Sequence, residues 1–145
     1  MKYTDEIEIN QPINKVVELF DNEDNLFKWM NGLQSIEHLE GKPGEKGSTT
    51  KMLFKEGKRE IEMIETILEN KLPEEFTATY EAKGVYNLAK ISFVSLTDSK
   101  TKYLTEQEFQ LKGFIKLIGW LMPGVFKKQT NKYLKMFKEF AENHE

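Results

Sequence analysis

The sequence predicts an α+β domain over residues 1–145, in which a curved antiparallel sheet of seven strands wraps around one long C-terminal helix. Three observations carry that prediction. The hydrophobic period is two residues over an opening segment and again from Leu33 to Leu111, and helical between and after them. Six successive strand-like runs are joined by short turn signals, which favours a meander with the opening strand added at its edge. Only the last segment is long enough, as a helix, to cover the apolar face of such a sheet.

Residues Lys2 to Ile9 put Tyr3, Asp5, Ile7 and Ile9 on one side and Lys2, Thr4, Glu6 and Glu8 on the other, the alternation of a half-buried strand. Pro12 then suits a first helical turn, where its missing N–H would have had no partner, and Ile13, Val16, Val17 and Phe20 follow at helical spacing. A second short helix is expected over "NLFKWM", before Gly32. The next strand runs from Leu33 to Leu39 and closes in the loop "EGKPGEKG". "STTKMLFKEGKREIEMIETILE" is a hairpin. A two-residue turn at Glu56-Gly57 would set Phe54 opposite Arg59, Met52 opposite Ile61 and Lys51 opposite Glu62. "FTATYEA", "NLAKISFVSL" and "KYLTEQEFQL" supply the last three strands.

In the final helix, Phe126, Thr130, Tyr133, Leu134, Phe137, Phe140 and Ala141 form one face at steps of three and four, opposite a lysine-rich one. Its lead-in, "FIKLIGWLMPGVF", holds a single charge, Lys116. Thirteen helical residues span about 20 Å, short of the roughly 30 Å hydrocarbon core, so this segment does not cross a membrane. Pro123 predicts a bend in a helix that starts earlier, eased by Gly119 four residues back. Phe114, Leu117, Trp120 and Leu121 are then expected at the mouth of a cavity, with the bend as the hinge of a lid. Trp120 and Leu121 beside Lys127 and Lys128 also suit transient contact with a membrane surface.

The composition is 39% hydrophobic and 31% charged, with nine glycines and four prolines, as in a folded domain without repeats or low-complexity runs. The absence of cysteine excludes disulfide scaffolds, Cys-ligated zinc and thiol catalysis. A net charge of −3 gives no overall attraction to nucleic acid. No basic end followed by an apolar run opens the chain, so a cytoplasmic location is expected, as monomer or homodimer.

Alternation assigns Thr50, Met52, Phe54, Ile61, Met63, Glu65 and Ile67 to the concave face. Further along the chain it adds Phe76, Ala78 and Tyr80, then Ala89, Ile91 and Phe93, and finally Tyr103, Thr105, Gln107, Phe109 and Leu111. Lys51, Lys55, Glu60, Glu62, Thr77, Thr79, Glu81, Lys90, Glu106 and Glu108 fall on the wet side. The ligand-binding candidates are Trp29, Met52, Phe54, Met63, Glu65, Tyr80, Phe93, Tyr103, Gln107, Trp120, Tyr133 and Phe137. Their polar members either satisfy one another or orient a ligand in an apolar pocket. Glu65 is the one catalytic candidate, because a desolvated carboxyl has a raised pKa and can act as acid or base. His38 is the only histidine away from the chain end; a lone strand histidine is ordinarily a packing residue, and with no second one a His-based metal site has no ligands. Arg59, the sole arginine, is by default a surface charge beside the turn, and its concave orientation leaves open a role in holding a ligand's carboxylate or phosphate. No metal and no cofactor is called for.

The stretch "IEINQPINKVVELFDNEDNLFKWMNGLQSIEHLEGKPGEKGSTTKMLF" resembles the N-terminal half of the START-like (SRPBCC) helix-grip superfamily, in its polyketide cyclase/dehydrase-like branch. The shared pattern is an opening strand ending in a proline-initiated helix (Pro12, Val16, Val17), then Asp21 and Trp29, then a glycine-rich turn (Gly41, Gly44, Gly47). These motifs are structural rather than catalytic, and the resemblance extends over essentially the whole chain. It implies a single START-like domain with a deep apolar cavity between sheet and helix, used by relatives for lipids, sterols, polyketides or hormones. The function expected is binding or carriage of a small apolar ligand. A cyclase or dehydratase acting on a polyketide-like substrate, and a protein-interaction or chaperone-linked module, stand as alternatives.

Overall fold

Four helices and seven antiparallel strands follow the predicted order in the computed structural model, which describes residues 1–144. Strand β1 (Lys2–Ile9) leads into helices α1 (Ile13–Phe20) and α2 (Glu23–Trp29). Strands β2 (Leu33–Glu40), β3 (Thr49–Glu56), β4 (Arg59–Lys71), β5 (Glu75–Ala82), β6 (Val85–Thr97) and β7 (Lys100–Leu111) form the meander. Helices α3 (Phe114–Leu121) and α4 (Gly124–Glu142) end the chain. The sheet order is β1-β7-β6-β5-β4-β3-β2, so the opening strand joins the meander at its edge as expected.

Three local expectations are corrected. Asn22, not Asn25, opens α2: its side chain accepts the amide of Asp24 at 3.0 Å, and Glu23 and Asp24 lie in the first turn, where the helix dipole favours them. The β3–β4 turn is Gly57-Lys58, which shifts the register by two residues and pairs Phe54 with Ile61 and Met52 with Met63. Gly57 has φ +61°, the sign that the first central position of such a turn demands. A two-residue shift keeps every side chain on its assigned face, and Lys51 still reaches Glu62 at 3.6 Å, now diagonally. The C-terminal helix breaks rather than bends. Met122, forced out of the helical region by the following proline, has φ −133° and ψ 65°, so α3 and α4 are separate helices.

Of the wet-face residues, Thr79 is buried, because β5 is the middle strand of seven and its neighbours flank this short side chain on both sides. A bulge between Ile67 and Glu69 buries Ile67, as assigned, and turns Leu68 outward.

Helix α4 runs parallel to β1 and is fastened to it along its length. Tyr3 Oη donates to the Phe126 carbonyl at 2.9 Å, Asn131 donates to Asp5 at 3.1 Å, Lys138 donates to the Glu8 carbonyl, and Glu142 accepts the Asn10 amide at 2.7 Å. Leu134, Phe137 and Ala141 thereby reach the core, where Phe137 meets the rings of Phe20, Trp29, Phe93 and Tyr103 at centroid distances of 5.1–6.4 Å. Edge-on and tilted ring contacts of this kind favour one fixed arrangement over a fluid one. A smaller cluster of Leu33, Met52 and Phe54 covers the β2–β3 side. No helix among the described residues is long and apolar enough to cross a membrane.

Candidate functional site

The concave face is closed at one end and open at the other. Toward the C-terminal end of α4, Phe76, Ile91, Phe93 and Tyr103 are buried beneath Phe20 and Phe137. Toward its N-terminal end, Ile61, Met63, Glu65, Tyr80, Gln107, Phe109, Leu111 and Tyr133 are only half-buried, so solvent reaches the apolar face there.

A row of polar side chains crosses this open half, one strand after another. His38 faces Thr50, Thr50 faces Glu65, Glu65 faces Tyr80 and Tyr80 faces Asn87 in the strand register. Opposed residues of an antiparallel pair share one side of the sheet, so strands β2 to β6 each contribute one group to the row. Gln107 and Thr105 extend it onto β7.

Within the row the groups pair in three sets. Tyr80 Oη donates to Glu65 Oε2 at 2.8 Å. His38 bonds Glu23 through Nε2 at 2.9 Å and Thr50 through Nδ1 at 3.3 Å. Asn87 Nδ2 donates to Gln107 Oε1 at 2.8 Å, and Gln107 Nε2 in turn to Thr105 Oγ1 at 2.8 Å. Burial raises the Glu65 carboxyl above its ordinary value; the Tyr80 bond draws it partly back, the Glu23 carboxylate raises it again and His38 lowers it. Tyr80 is held well above the usual phenol range, first by burial and then by the Glu65 charge beside it. Burial alone raises Tyr103, and mainly burial raises Tyr133. Glu65 thus spends a wider pH range protonated than a surface carboxyl, with a phenol that stays neutral as its partner. Such a pair can donate to and accept from a neutral hydroxyl or carbonyl, and it can exchange a proton with one.

The structure sorts the twelve candidate residues into four settings. Trp29, Phe93, Tyr103 and Phe137 are packed core. Met52 and Phe54 are buried in the smaller cluster, with Met63 half-buried against it. Glu65, Tyr80 and Gln107 belong to the polar row, and Tyr133, half-buried on α4, packs against the core cluster. Trp120 stands apart on α3 and points to solvent, as do Phe114, Leu117 and Leu121, so these four side chains do not reach the concave face. An eight-residue helix made almost wholly of apolar residues carries no contrast from which to read its inner side; Gly119 marks it, since a Cβ there would come within 2.3 Å of Leu111 Cδ1. Trp29 Nε1 is buried with no hydrogen-bond partner, and the indole forms part of a cleft of about 350 Å³ between α2 and the end of α4.

Sequence reasoning passed over Asn87, Glu23 and the pairing role of His38. Asn87 lies two residues before Ala89 and shares its face, a signal masked by its closeness to a turn. Glu23 joins His38 only through the docking of α2 on β2, which no local pattern encodes. Among the described residues no group of three or more His, Cys, Asp or Glu side chains is arranged to hold a metal ion.

No protein-family model and no curated protein sequence matches the chain. Solved structures do. Ara h 8.0201 aligns over 99% of both chains with a TM-score of 0.79 at 18% identity. The Zhui aromatase/cyclase from Streptomyces sp. R1128 aligns over 98% of this chain and 93% of its own, with a TM-score of 0.81 at 10% identity. Norcoclaurine synthase from Thalictrum flavum, in complex with dopamine and hydroxybenzaldehyde, aligns over 100% of this chain and 88% of its own, with a TM-score of 0.75 at 13% identity. At such identities the likeness is one of fold: the chain has the START-like helix-grip fold that its sequence pattern leads one to expect.

Proposed function

We propose that this helix-grip domain binds or carries a small, largely apolar ligand between the open half of its sheet and α4. The observation that supports this reading most strongly is the polar row: five strands and β7 each give a polar group to a face otherwise built from methionine, isoleucine and aromatic side chains. A fully dry core would gain more from apolar residues at these positions, since each buried polar group costs about 1–3 kcal/mol when its bonds are incomplete. A pocket that orients a ligand needs a few such groups in an apolar lining. The row contains no lysine or arginine, and its one carboxyl is Glu65, so it suits a neutral hydroxyl or carbonyl, as on a sterol or a polyketide-like phenol, better than a carboxylate. The cytoplasm is the proposed compartment, and a chain without cysteine loses nothing in reducing surroundings.

Native mass spectrometry of the purified protein, followed by solvent extraction, tests the proposal. A bound apolar compound, or thermal stabilisation by a sterol or aromatic polyketide, is expected. A clean ligand-free mass together with no stabilisation by any fatty acid, sterol or polyketide tried would overturn it. The Glu65–Tyr80 pair also supports a second reading, proton transfer in a cyclase or dehydratase acting on a polyketide-like substrate. Turnover that is the same in Glu65→Gln would remove the pair from any such chemistry.

A further inference from the structure

Apart from Lys116, helix α3 is apolar on every side. Its inner side, with Gly119 buried and Ile115 and Ile118 half-buried, lies against Leu111 and the Gly84 turn. Its outer side presents Phe114 at 74%, Trp120 at 77% and Leu121 at 62% exposure, with Leu117 between them, and Met122 and Val125 continue the surface toward α4. A helix with no polar side is ordinarily covered on both sides. The charge around it is equally one-sided. No aspartate or glutamate occurs between Glu108 and Glu139, although the whole chain carries a net −3. Lys112, Lys116, Lys127 and Lys128 flank the apolar surface, all exposed, and none of them is in an ion pair among the described residues.

We propose that this outer face of α3 docks on an anionic lipid surface. Phe114, Leu117, Trp120 and Leu121 enter the headgroup–acyl boundary, and the four lysines lie over the lipid phosphates. Eight helical residues reach about 12 Å, so α3 lies in the plane of the surface and does not cross it. Indole rings favour this boundary, where an apolar body and a polar N–H are both accommodated. A second copy of the chain is the poorer occupant, because a two-fold contact sets the same patch against itself and brings lysine to lysine.

Co-sedimentation with vesicles tests the proposal without any pocket ligand, so it stands or falls independently of the carrier reading. The protein is expected to sediment with phosphatidylcholine vesicles containing roughly one-third phosphatidylglycerol, to be released by salt, and to remain free of pure phosphatidylcholine. Lys127→Gln/Lys128→Gln should lower the partition by about thirtyfold, from the attraction expected of two lysines near such a surface. Trp120→Ser/Leu121→Ser should lower it by at least about tenfold. These side chains are exposed, so unchanged thermal unfolding verifies that the variants fold. Failure to sediment with the anionic vesicles at low ionic strength overturns the proposal, as does sedimentation of both variants like the wild type. A dimer in sedimentation velocity that Trp120→Ser/Leu121→Ser disperses would assign the face to a second copy instead.

Discussion

Replacing Tyr80 by phenylalanine removes one oxygen from the middle of the polar row and keeps the ring that touches both apolar clusters. Glu65 Oε2 then loses its donor. A hydrogen bond to a charged acceptor contributes about 1.5–3 kcal/mol, and because Glu65 is half-buried, solvent reduces the expected loss to about 1–2 kcal/mol at neutral pH. The pH dependence follows from the direction of the Glu65 shift. Burial lifts its folded-state pKa above the ordinary 4.5, so its contribution to stability is full below that value and is lost as pH rises through the folded-state value. Without the Tyr80 bond, which draws the carboxyl down, the folded-state value rises further. The cost of Tyr80→Phe should therefore be greatest at neutral pH and shrink as pH falls toward 4.5, where the protonated carboxyl no longer needs a donor. In the Glu65→Gln background the same substitution should cost about 0.5–1.5 kcal/mol at every pH. Urea unfolding of the four variants of this cycle over that pH range measures both quantities. A cost of Tyr80→Phe that is flat with pH while Glu65 is present would mean that Tyr80 does not hold the Glu65 charge.

Other variants separate the closed end from the open one. Phe137→Ala, at a fully buried position ringed by five aromatic partners, should destabilise by about 3–5 kcal/mol in denaturant unfolding, and a loss below about 1.5 kcal/mol would mean that the closed end is not packed as described. Asn22→Ala removes the α2 cap and should cost about 1 kcal/mol, whereas Asn31→Ala, outside that helix, serves as the control.

Most of the fold was legible because each element announces itself locally: period two in β1, Pro12 before α1, and the three- and four-residue steps of α4. The failures are of another kind. A turn one residue later moved the β3–β4 register by two, and only the backbone of Gly57 distinguishes the two choices. Pro123 was visible, but whether it bends or breaks a helix depends on the conformation of Met122. The candidate site was legible in part: alternation put Glu65, Tyr80 and Gln107 on one face. It did not supply Asn87 and the His38–Glu23 pair as their companions, because Asn87 sits beside a turn and Glu23 reaches His38 only through a docked helix. Periodicity gave α4 its inner side and gave α3 none, which is why Trp120 was expected at the cavity and stands in solvent instead.

The fastening of β1 to both β7 and α4 has a bearing on how the chain is made. The first ten residues hold their places through bonds to residues near 100 and beyond 125, such as Ile9 opposite Thr101 and Asn10 to Glu142. During synthesis that opening strand has no partner until β7 and α4 have left the ribosome, so its closure waits for about a hundred further residues. Until then Ile7, Ile9 and the inner side of α1 have no core to enter, and apolar surface exposed in that interval favours aggregation.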